Sequence, residues 1–373
     1  MKLARRQFLS TGGAAALGWL CPFGTHVKAR AAEAQRRPLL SDQDFSRIEA
    51  AIDRSLEFIV QHQGSDGGFL VYRTSGEPAI TCLAVMAMLA RGHQPGRGRY
   101  GERIERAVDY VLNCQHHDGM LAVERPEDEY VALGGSHCVH YNHGIAGLML
   151  SEVYGMTTPE RDQRIKEAIN KALGYSVRAQ VQDPVFDGSW GYDPPIDSGH
   201  ITDLSVVSWN LMFLRSAKNI GFDVPMQTVK RTMDYVDRSY CPQDGGFRYH
   251  LHKPKSDVSV TGIGILMLSL GGERDSKKIK TAAEYLVSNP WAGMGTQSGN
   301  YGAYYIGLAA LHLGEPYWSQ IYPPLMSIIL ESQAADGSWP NGYDGDRFSP
   351  TYSNSIYTMT LAVPLQLLPI YQP

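Results

Sequence analysis

Hydrophobic and polar positions along the chain alternate between two kinds of segment. Segments of the first kind, such as residues 44–62, place apolar side chains three and four positions apart, which is typical of a helix with one buried face. Segments of the second kind are small and apolar on nearly every side, which is typical of a fully buried helix. Six segments of each kind follow one another in alternation. The pattern therefore predicts two layers of helices, one outer and one inner.

Helix bounds follow from the same pattern. The amphipathic outer helices are predicted at residues 44–62, 102–114, 160–178, 226–240, 277–288 and 315–332. The apolar inner helices are predicted at residues 79–90, 140–153, 204–216, 258–270, 301–313 and 354–367. A closed double ring buries both sets, so we expect an all-α fold, the (α/α)6 toroid, with the inner helices around a central cavity. An open solenoid would need polar repeats at its two ends, and the sequence contains none.

Short polar turns join the outer helices to the inner helices that follow them. Five turns share an Asp-Gly pair, and in four of them a glutamine precedes it; they lie at residues 63–69, 115–120, 187–190, 243–247 and 333–339. A sixth turn, at residues 289–293, is degenerate but falls in the expected place. Because such turns recur about every fifty residues, they indicate an array of like units, each burying its apolar face against its neighbours.

These turns resemble the repeat motif of squalene–hopene cyclases, within the terpenoid cyclase and protein prenyltransferase superfamily. The resemblance covers residues 41–373 and implies an α/α toroid of six repeats. In that superfamily the glutamine and aspartate of the turn join neighbouring helix ends, and an aromatic ring stacks beside them. The resemblance therefore implies a scaffold role for Gln63, Asp66, Gln115, Asp118, Gln333, Asp336 and Trp339.

The catalytic signatures of that superfamily are missing from the sequence. Squalene-type cyclases use an Asp-x-Asp-Asp segment as the acid, and the nearest acidic clusters here, residues 127–129 and 344–346, lie in polar loops. Prenyltransferase β-subunits bind zinc through an Asp-x-Cys pair. The matching positions here, 203–205 and 257–259, have serine in place of the thiolate. The resemblance therefore implies the fold and leaves the reaction unassigned.

The first thirty-one residues have the features of an export signal. Arg5 and Arg6 open a twin-arginine motif, a short apolar stretch follows, and Ala29-Arg30-Ala31 is typical of a cleavage site. We expect a signal peptide at residues 1–31, a linker at 32–40 and the toroid at 41–373, in the periplasm or outside the cell. Removing five basic residues and no acid takes the net charge from −4 to about −9.

Polar residues at the starts of the predicted inner helices form the candidate site. Equivalent units in a closed ring would place them at one mouth of the cavity, where helix N-termini favour an anion or an ionised carboxylate. Asp203, Asp257 and His143 are the candidate catalytic groups. Both aspartates also suit an N-cap role, and the tyrosines suit the core. The candidate ligand-binding residues are His140, Ser205, Ser259, Tyr301, Tyr304, Tyr352 and Asn354.

A cluster of histidine and cysteine is the densest potential metal site. His137, Cys138, His140 and His143 could supply the three or four ligands that zinc needs. One helix offers poor tetrahedral geometry, however, and no second pair lies at metal-site spacing. We therefore expect no metal and no other cofactor. The four cysteines beyond the signal are also too few for a disulfide framework.

The sequence favours an exported toroid that binds an apolar or isoprenoid ligand in its central cavity. The alternative is a carbohydrate-active enzyme, a polysaccharide lyase or glycoside hydrolase, which export, acidity, 21 tyrosines and 6 tryptophans would suit. A non-catalytic protein-binding module is the third possibility, favoured if side chains fill the cavity. The acidic charge argues against a nucleic-acid partner. No stretch after the signal is long and apolar enough to predict a membrane helix.

Overall fold

The regular structure consists of α-helices and two short 3-10 turns. A computed structural model describes residues 40–72, 76–124, 138–194, 202–289, 299–341 and 348–372, and within these ranges it contains no β-strand. In chain order the helices are α1 (Asp42–Val60), α2 (Ala79–Arg91), α3 (Gly101–Asn113), α4 (Val139–Val153), α5 (Pro159–Ala179), α6 (Leu204–Asn219), α7 (Met226–Ser239), α8 (Val258–Leu270), α9 (Lys277–Ser288), α10 (Gly299–Leu313), α11 (Tyr317–Glu331) and α12 (Pro350–Leu361).

Odd-numbered helices form the outer layer and even-numbered helices the inner one. Outer helices bury one face and begin at side-chain caps in several cases: Ser41, Thr158 and Ser276 accept backbone N–H groups at the starts of α1, α5 and α9. Inner helices are buried on all sides, as in α8, where every residue from Ser259 to Leu270 is buried. The two kinds of sequence pattern therefore correspond to two layers.

The inner helices close into a ring. α2 packs against α4, α4 against α6, α6 against α8, α8 against α10, α10 against α12, and α12 against α2. Each outer helix packs against neighbouring inner helices, and α12 also contacts α1. The predicted (α/α)6 toroid is confirmed. None of the helices in the described ranges is both long and apolar enough to cross a membrane.

The glutamines of the repeat turns join successive units. The Gln63 amide donates to the carbonyl of Gly67 in its own turn (3.0 Å) and to that of Arg103 on α3 (2.9 Å). Gln115 and Gln333 make the equivalent pair of bonds to α5 and α1. The bond from Gln333 to Ala51 on α1 therefore links the last unit to the first.

The turn at residues 187–190 lacks a glutamine at the usual spacing, and Gln180 replaces it. Its amide donates to the carbonyls of Gly188 (3.1 Å) and Thr228 on α7 (2.9 Å). Extra residues between Gln180 and the turn hide this equivalence in the sequence. In the turns that do fit the pattern, the Asp66, Asp118 and Asp336 carboxylates accept the N–H two residues ahead. These contacts agree with the scaffold role that the resemblance implied for the glutamines and aspartates of the turns.

Replacing Gln333 by alanine should lower the free energy of unfolding by about 2 kcal/mol. The change removes bonds to Ala51 and Gly337, and a further one that Arg54 donates to the Gln333 amide oxygen. Urea unfolding of the variant and the wild type would measure this loss of stability. Gln163→Ala is the control, since Gln163 is exposed and bonds only to Glu167 one turn away. Equal stabilities of the two variants would contradict a closing role for Gln333.

The last inner helix is shorter than its sequence pattern predicted. We expected it to run to residue 367, but α12 ends at Leu361 and a 3-10 turn, Val363–Leu365, follows. Pro364 explains the difference because proline lacks the N–H that an α-helix requires. A second 3-10 turn, Pro369–Tyr371, packs against α6. The Tyr371 hydroxyl donates to the Met359 carbonyl at 3.2 Å, so the tail is anchored to the inner ring.

Several predicted features lie outside the described residues. These are the signal peptide and nearly all of the linker, most of the degenerate turn at 289–293, the two acidic clusters at 127–129 and 344–346, and His137.

Candidate functional site

Asp203 lies at the start of α6, at the mouth of the ring formed by the N-termini of the inner helices. The side chain is fully buried, and its carboxylate accepts the backbone N–H groups of Ser205 (2.7 Å) and Val206 (3.1 Å). An aspartate is a favoured N-cap because its oxygen satisfies N–H groups that have no partner within the helix. Asp203 therefore caps α6. The Ser205 hydroxyl also donates to it.

Three tyrosines surround this carboxylate. The Tyr192 hydroxyl donates to one Asp203 oxygen, and the Tyr141 hydroxyl, on α4, lies 3.5 Å from the other. The Tyr249 hydroxyl is 2.8 Å from that of Tyr192. A fourth, Tyr301 on α10, has a buried hydroxyl that forms no hydrogen bond of good geometry with a described residue, and it lies close to Ser205 and Asp203. We call Tyr141, Tyr192, Tyr249 and Tyr301 the tyrosine cup; all four are partly exposed.

Backbone hydrogen bonds position the two loop tyrosines of the cup. The Tyr192 carbonyl accepts the N–H of His140 at the start of α4 (3.1 Å), and the Tyr249 carbonyl accepts that of Leu204 at the start of α6 (3.2 Å). Tyr192 and Tyr249 each come two residues after the buried aromatic residue of a repeat turn, Trp190 or Phe247. Tyr141, Tyr192 and Tyr249 were not predicted as site residues, although this shared spacing was a signal for the last two.

The electrostatics of the cup keep its phenols protonated. Burial, followed by the Asp203 carboxylate and the Tyr249 hydroxyl, raises the pKa of Tyr192 far above its usual value. Burial and Asp203 likewise raise the pKa of Tyr141 well above the ordinary range. At neutral pH the cup therefore consists of neutral hydroxyl groups gathered around one carboxylate. Tyr192 donates its proton to Asp203 and accepts from Tyr249, so this chain of hydroxyls can take hydrogen bonds from a ligand.

Below the cup, aromatic side chains from α6 and α10 meet inside the ring. Trp209 stacks on Tyr304 with ring centres 5.8 Å apart and contacts Tyr305 edge-on at 5.7 Å. The Ser208 and Tyr305 hydroxyls are 2.8 Å apart. Since α6 and α10 lie on either side of α8, these contacts cross the interior of the ring. Tyr304, a predicted ligand-binding residue, is fully buried here.

His140 and His143 lie between α4 and the outer helix α5. His140 Nδ1 donates to the Gly191 carbonyl (2.7 Å), and its Nε2 is 3.1 Å from the Tyr175 hydroxyl. His143 Nδ1 accepts the N–H of Leu121 (3.3 Å), and its Nε2 is 2.9 Å from the Ser176 hydroxyl. Burial lowers the pKa of His140 to about 4 and that of His143 to about 3, so both are neutral at pH 7.

His143 accepts a backbone N–H that has equivalents in two other units, where threonines accept it. Thr81 on α2 accepts the N–H of Phe69, and Thr261 on α8 accepts that of Phe247, each at 2.9 Å. Phe69, Leu121 and Phe247 occupy equivalent positions just after a repeat turn. His143 therefore makes a contact that is repeated around the ring.

The remaining predicted site residues are spread over other parts of the ring. Asp257 caps α8 through the N–H of Val260 (3.1 Å) and is exposed, whereas Ser259 is buried. Tyr352 is partly exposed and packs near Phe348, with ring centres 5.9 Å apart. Asn354 is buried and lies 3.4 Å from the Ser55 hydroxyl on α1. The structure thus brings Asp203, Ser205 and Tyr301 together.

Metal-binding side chains do not cluster in the described part of the chain. No group of three or more His, Cys, Asp or Glu there could hold a metal ion. None of Cys82, Cys114, Cys138 and Cys241 forms a disulfide within the described part of the chain.

Comparisons with solved structures identify the fold. A variant of the type II terpene cyclase MstE from Scytonema, in complex with geranylgeranyl dihydroxybenzoate, matches 88% of this chain and all of its own, with TM-score 0.54 and 16% identity. A glycosidase variant also matches 88% of this chain and all of its own, with TM-score 0.56 and 13% identity. The chain has the fold of these toroids.

An α-amylase from Clostridium perfringens is a further structural neighbour of the toroid. It matches 84% of this chain and 97% of its own, with TM-score 0.52 and 10% identity. No family model matches the sequence. No curated protein matches it either. At these identities the likeness concerns the fold alone, so function has to be argued from the site.

Proposed function

We propose that the toroid binds a saccharide at the tyrosine cup. The observation that carries this proposal is a group of four partly exposed tyrosines around the buried carboxylate of Asp203, two of them within hydrogen-bond distance of it. A phenol offers an apolar face for the C–H groups of a sugar ring and a hydroxyl that can bond to sugar hydroxyls. A few placed polar groups within an aromatic surface are typical of small-molecule sites.

The direction of the hydrogen bonds within the cup favours a ligand with several hydroxyl groups. Asp203 accepts from Tyr192, and the Tyr192 hydroxyl in turn accepts from Tyr249, so a ligand hydroxyl that donates to this chain would extend it. The buried Tyr301 hydroxyl forms no hydrogen bond of good geometry with a described residue. A polyhydroxyl ligand would satisfy these groups. Glycosidase toroids, one of them a variant in complex with glucose, are among the structural neighbours.

A panel of neutral and acidic oligosaccharides, titrated against the mature protein by calorimetry, tests the proposal. Tyr192→Phe should weaken binding of any saccharide hit by about tenfold, because it removes the hydroxyl that joins Asp203 to Tyr249. Tyr154→Phe is the matched control, since Tyr154 lies at the other end of α4 beside Phe222. Binding of no saccharide, or equal affinity in both variants, would contradict the proposal. If the protein also released reducing ends or unsaturated products from these oligosaccharides, it would be an enzyme as well as a saccharide-binding protein.

An apolar or isoprenoid ligand is the second candidate. The aromatic faces of Trp209, Tyr304 and Tyr305 inside the ring favour it, because such surfaces suit an apolar chain or a developing cation. One structural neighbour is a terpene cyclase in complex with a geranylgeranyl substrate. Native mass spectrometry of protein purified from its own compartment would show an isoprenoid adduct. A saccharide adduct, lost in Tyr192→Phe, would favour the cup instead.

A non-catalytic protein-binding module is a further candidate, favoured by the same packing. Trp209, Tyr304 and Tyr305 occupy space inside the ring that an enclosed ligand would need. The observation that would support it is a protein partner that binds unchanged to Tyr192→Phe, with no saccharide or isoprenoid bound to the wild type.

We also propose twin-arginine export to the periplasm or beyond, on the sequence of residues 1–31. In a host with that pathway, the exported protein should begin at Ala32. An Arg5→Lys, Arg6→Lys double variant should stay in the cytoplasm. Export of the double variant at the wild-type level would contradict this route.

A further inference from the structure

Three basic side chains lie at the opposite end of the inner ring from the tyrosine cup. Arg215 is in the last turns of α6, Arg274 is in the turn after α8, and His312 is near the end of α10. α8 packs against both α6 and α10, so these three elements adjoin one another. His312 interacts electrostatically with both arginines, and Arg215 interacts with Arg274. We call these residues the basic triad.

Within the described part of the chain, the basic triad has no hydrogen-bond or ion-pair partner. Other arginines of the ring are paired with carboxylates: Arg161 with Asp109 at 2.9 Å, and Arg91 with Asp53 at 2.8 Å. Arg215, which is partly exposed, and Arg274, which is exposed, form no ion pair or hydrogen bond with a described residue. Both ring nitrogens of His312 are buried and also lack a hydrogen-bond partner there. Buried polar groups are normally satisfied, so a group without a partner calls for an explanation.

Burial and repulsion between its own charges dominate the electrostatics of the triad, and Asp275, next to Arg274 in the exposed turn, is an opposing charge. Burial, then the charge of Arg274, lowers the pKa of Arg215, whereas the pKa of Arg161 is raised by its carboxylate partner. Burial and the two arginines lower the pKa of His312 to about 3. Asp275 acts on Arg274, whereas no carboxylate of the described residues is among the groups that act on Arg215 or His312, so these two side chains lie in a positive environment.

We propose that the basic triad binds a phosphate-type oxyanion. Each guanidinium presents a planar set of N–H donors that fits two oxygens of such an anion, and His312 offers a further donor or acceptor. Three groups approaching from three elements suit a tetrahedral anion, which has acceptors on every side. The anion would supply the partners that Arg215, Arg274 and the His312 nitrogens lack.

Titration with inorganic phosphate in a phosphate-free buffer, by calorimetry and by thermal unfolding, tests this site. The wild type should bind phosphate saturably and unfold at a higher temperature in its presence. Arg215→Gln and His312→Gln should each weaken binding by about tenfold or more. Arg97→Gln removes the same charge from an exposed side chain and should leave the affinity unchanged.

Stability without phosphate separates a binding role from a structural one. Arg215→Gln should then be as stable as the wild type or more stable, since it removes an unpaired charge beside Arg274. A loss of stability in this variant without phosphate would mean that Arg215 serves the fold, and would overturn the proposal. So would absence of saturable binding to the wild type, or equal affinity in Arg215→Gln and Arg97→Gln.

Discussion

Gly67→Ala should lower the free energy of unfolding by about 4 kcal/mol, a large part of the stability of an ordinary domain. Gly67 is in the first repeat turn and has φ +96°, a left-handed conformation that side chains with a Cβ rarely adopt. A Cβ there would also clash with the backbone carbonyl of Arg106 on α3. Because that carbonyl belongs to a helix, it cannot move without moving α3.

Gly221→Ala is the matched control for that change. Gly221 has the same φ, +96°, but a Cβ there would have no atom within 4 Å. The variant therefore carries only the backbone strain and should lose about 1 kcal/mol. Guanidinium unfolding of both variants measures how much of the lost stability comes from the close approach of Gly67 to α3. Equal losses would contradict the idea that the turn docks against the next outer helix.

The same close approach recurs at other repeat turns. A Cβ on Gly119, Gly188 or Gly337 would clash with a carbonyl on α5, α7 or α1, respectively. Each of these glycines has φ between +87° and +99°. These four Asp-Gly pairs therefore reflect a requirement of the ring, because each of their turns packs its backbone directly onto the outer helix of the next unit.

The folded protein should lose stability as the pH falls from about 6.5 towards 4, and His143 should account for about 3 kcal/mol of that loss. Its pKa is lowered to about 3 by burial and by His140, so in this window the unfolded chain binds a proton that the folded chain excludes. Stability therefore rises with pH across the window and is fully present above it. His140, with a pKa lowered to about 4, acts in the same direction.

The hydrogen bonds explain why the charged form of His143 is excluded. The Leu121 N–H donates to Nδ1, so a proton there would face another donor. His143→Gln should therefore reduce the difference in unfolding free energy between pH 7 and pH 4 by about 3 kcal/mol. His117→Gln, at an exposed position, should leave the difference unchanged. If both variants keep the wild-type pH dependence, His143 is not the buried neutral group that the geometry requires.

The alternation of amphipathic and apolar segments, together with the period of the turns, was enough to predict the closed ring and most helix bounds. Residues 258–270 and 277–288 were predicted as helices, and α8 and α9 have those bounds. Local signals fix such ends: Asp257 and Ser276 cap the starts of α8 and α9. The end of α12 was predicted wrongly because apolar composition was given more weight than Pro364, which lacks the required N–H.

The site was less predictable than the fold because it depends on contacts between units. Asp203 could be singled out, since its position at the start of an inner helix follows from the repeat. The cup could not, because Tyr141 comes from α4 while Tyr192 and Tyr249 come from loops of different units. Only the closed ring brings these hydroxyls together. The contact that His143 shares with the threonines of other units was hidden for the same reason.

A crystal structure with the tightest-binding saccharide of the panel would show directly whether the tyrosine cup is the ligand site. We expect a sugar ring on the faces of Tyr192 and Tyr249, with hydroxyls bonded to the phenols around Asp203. Trp209 and Tyr304 should remain stacked beneath it. A ligand bound elsewhere on the ring, or one that enters the interior by displacing Trp209, would contradict the claim.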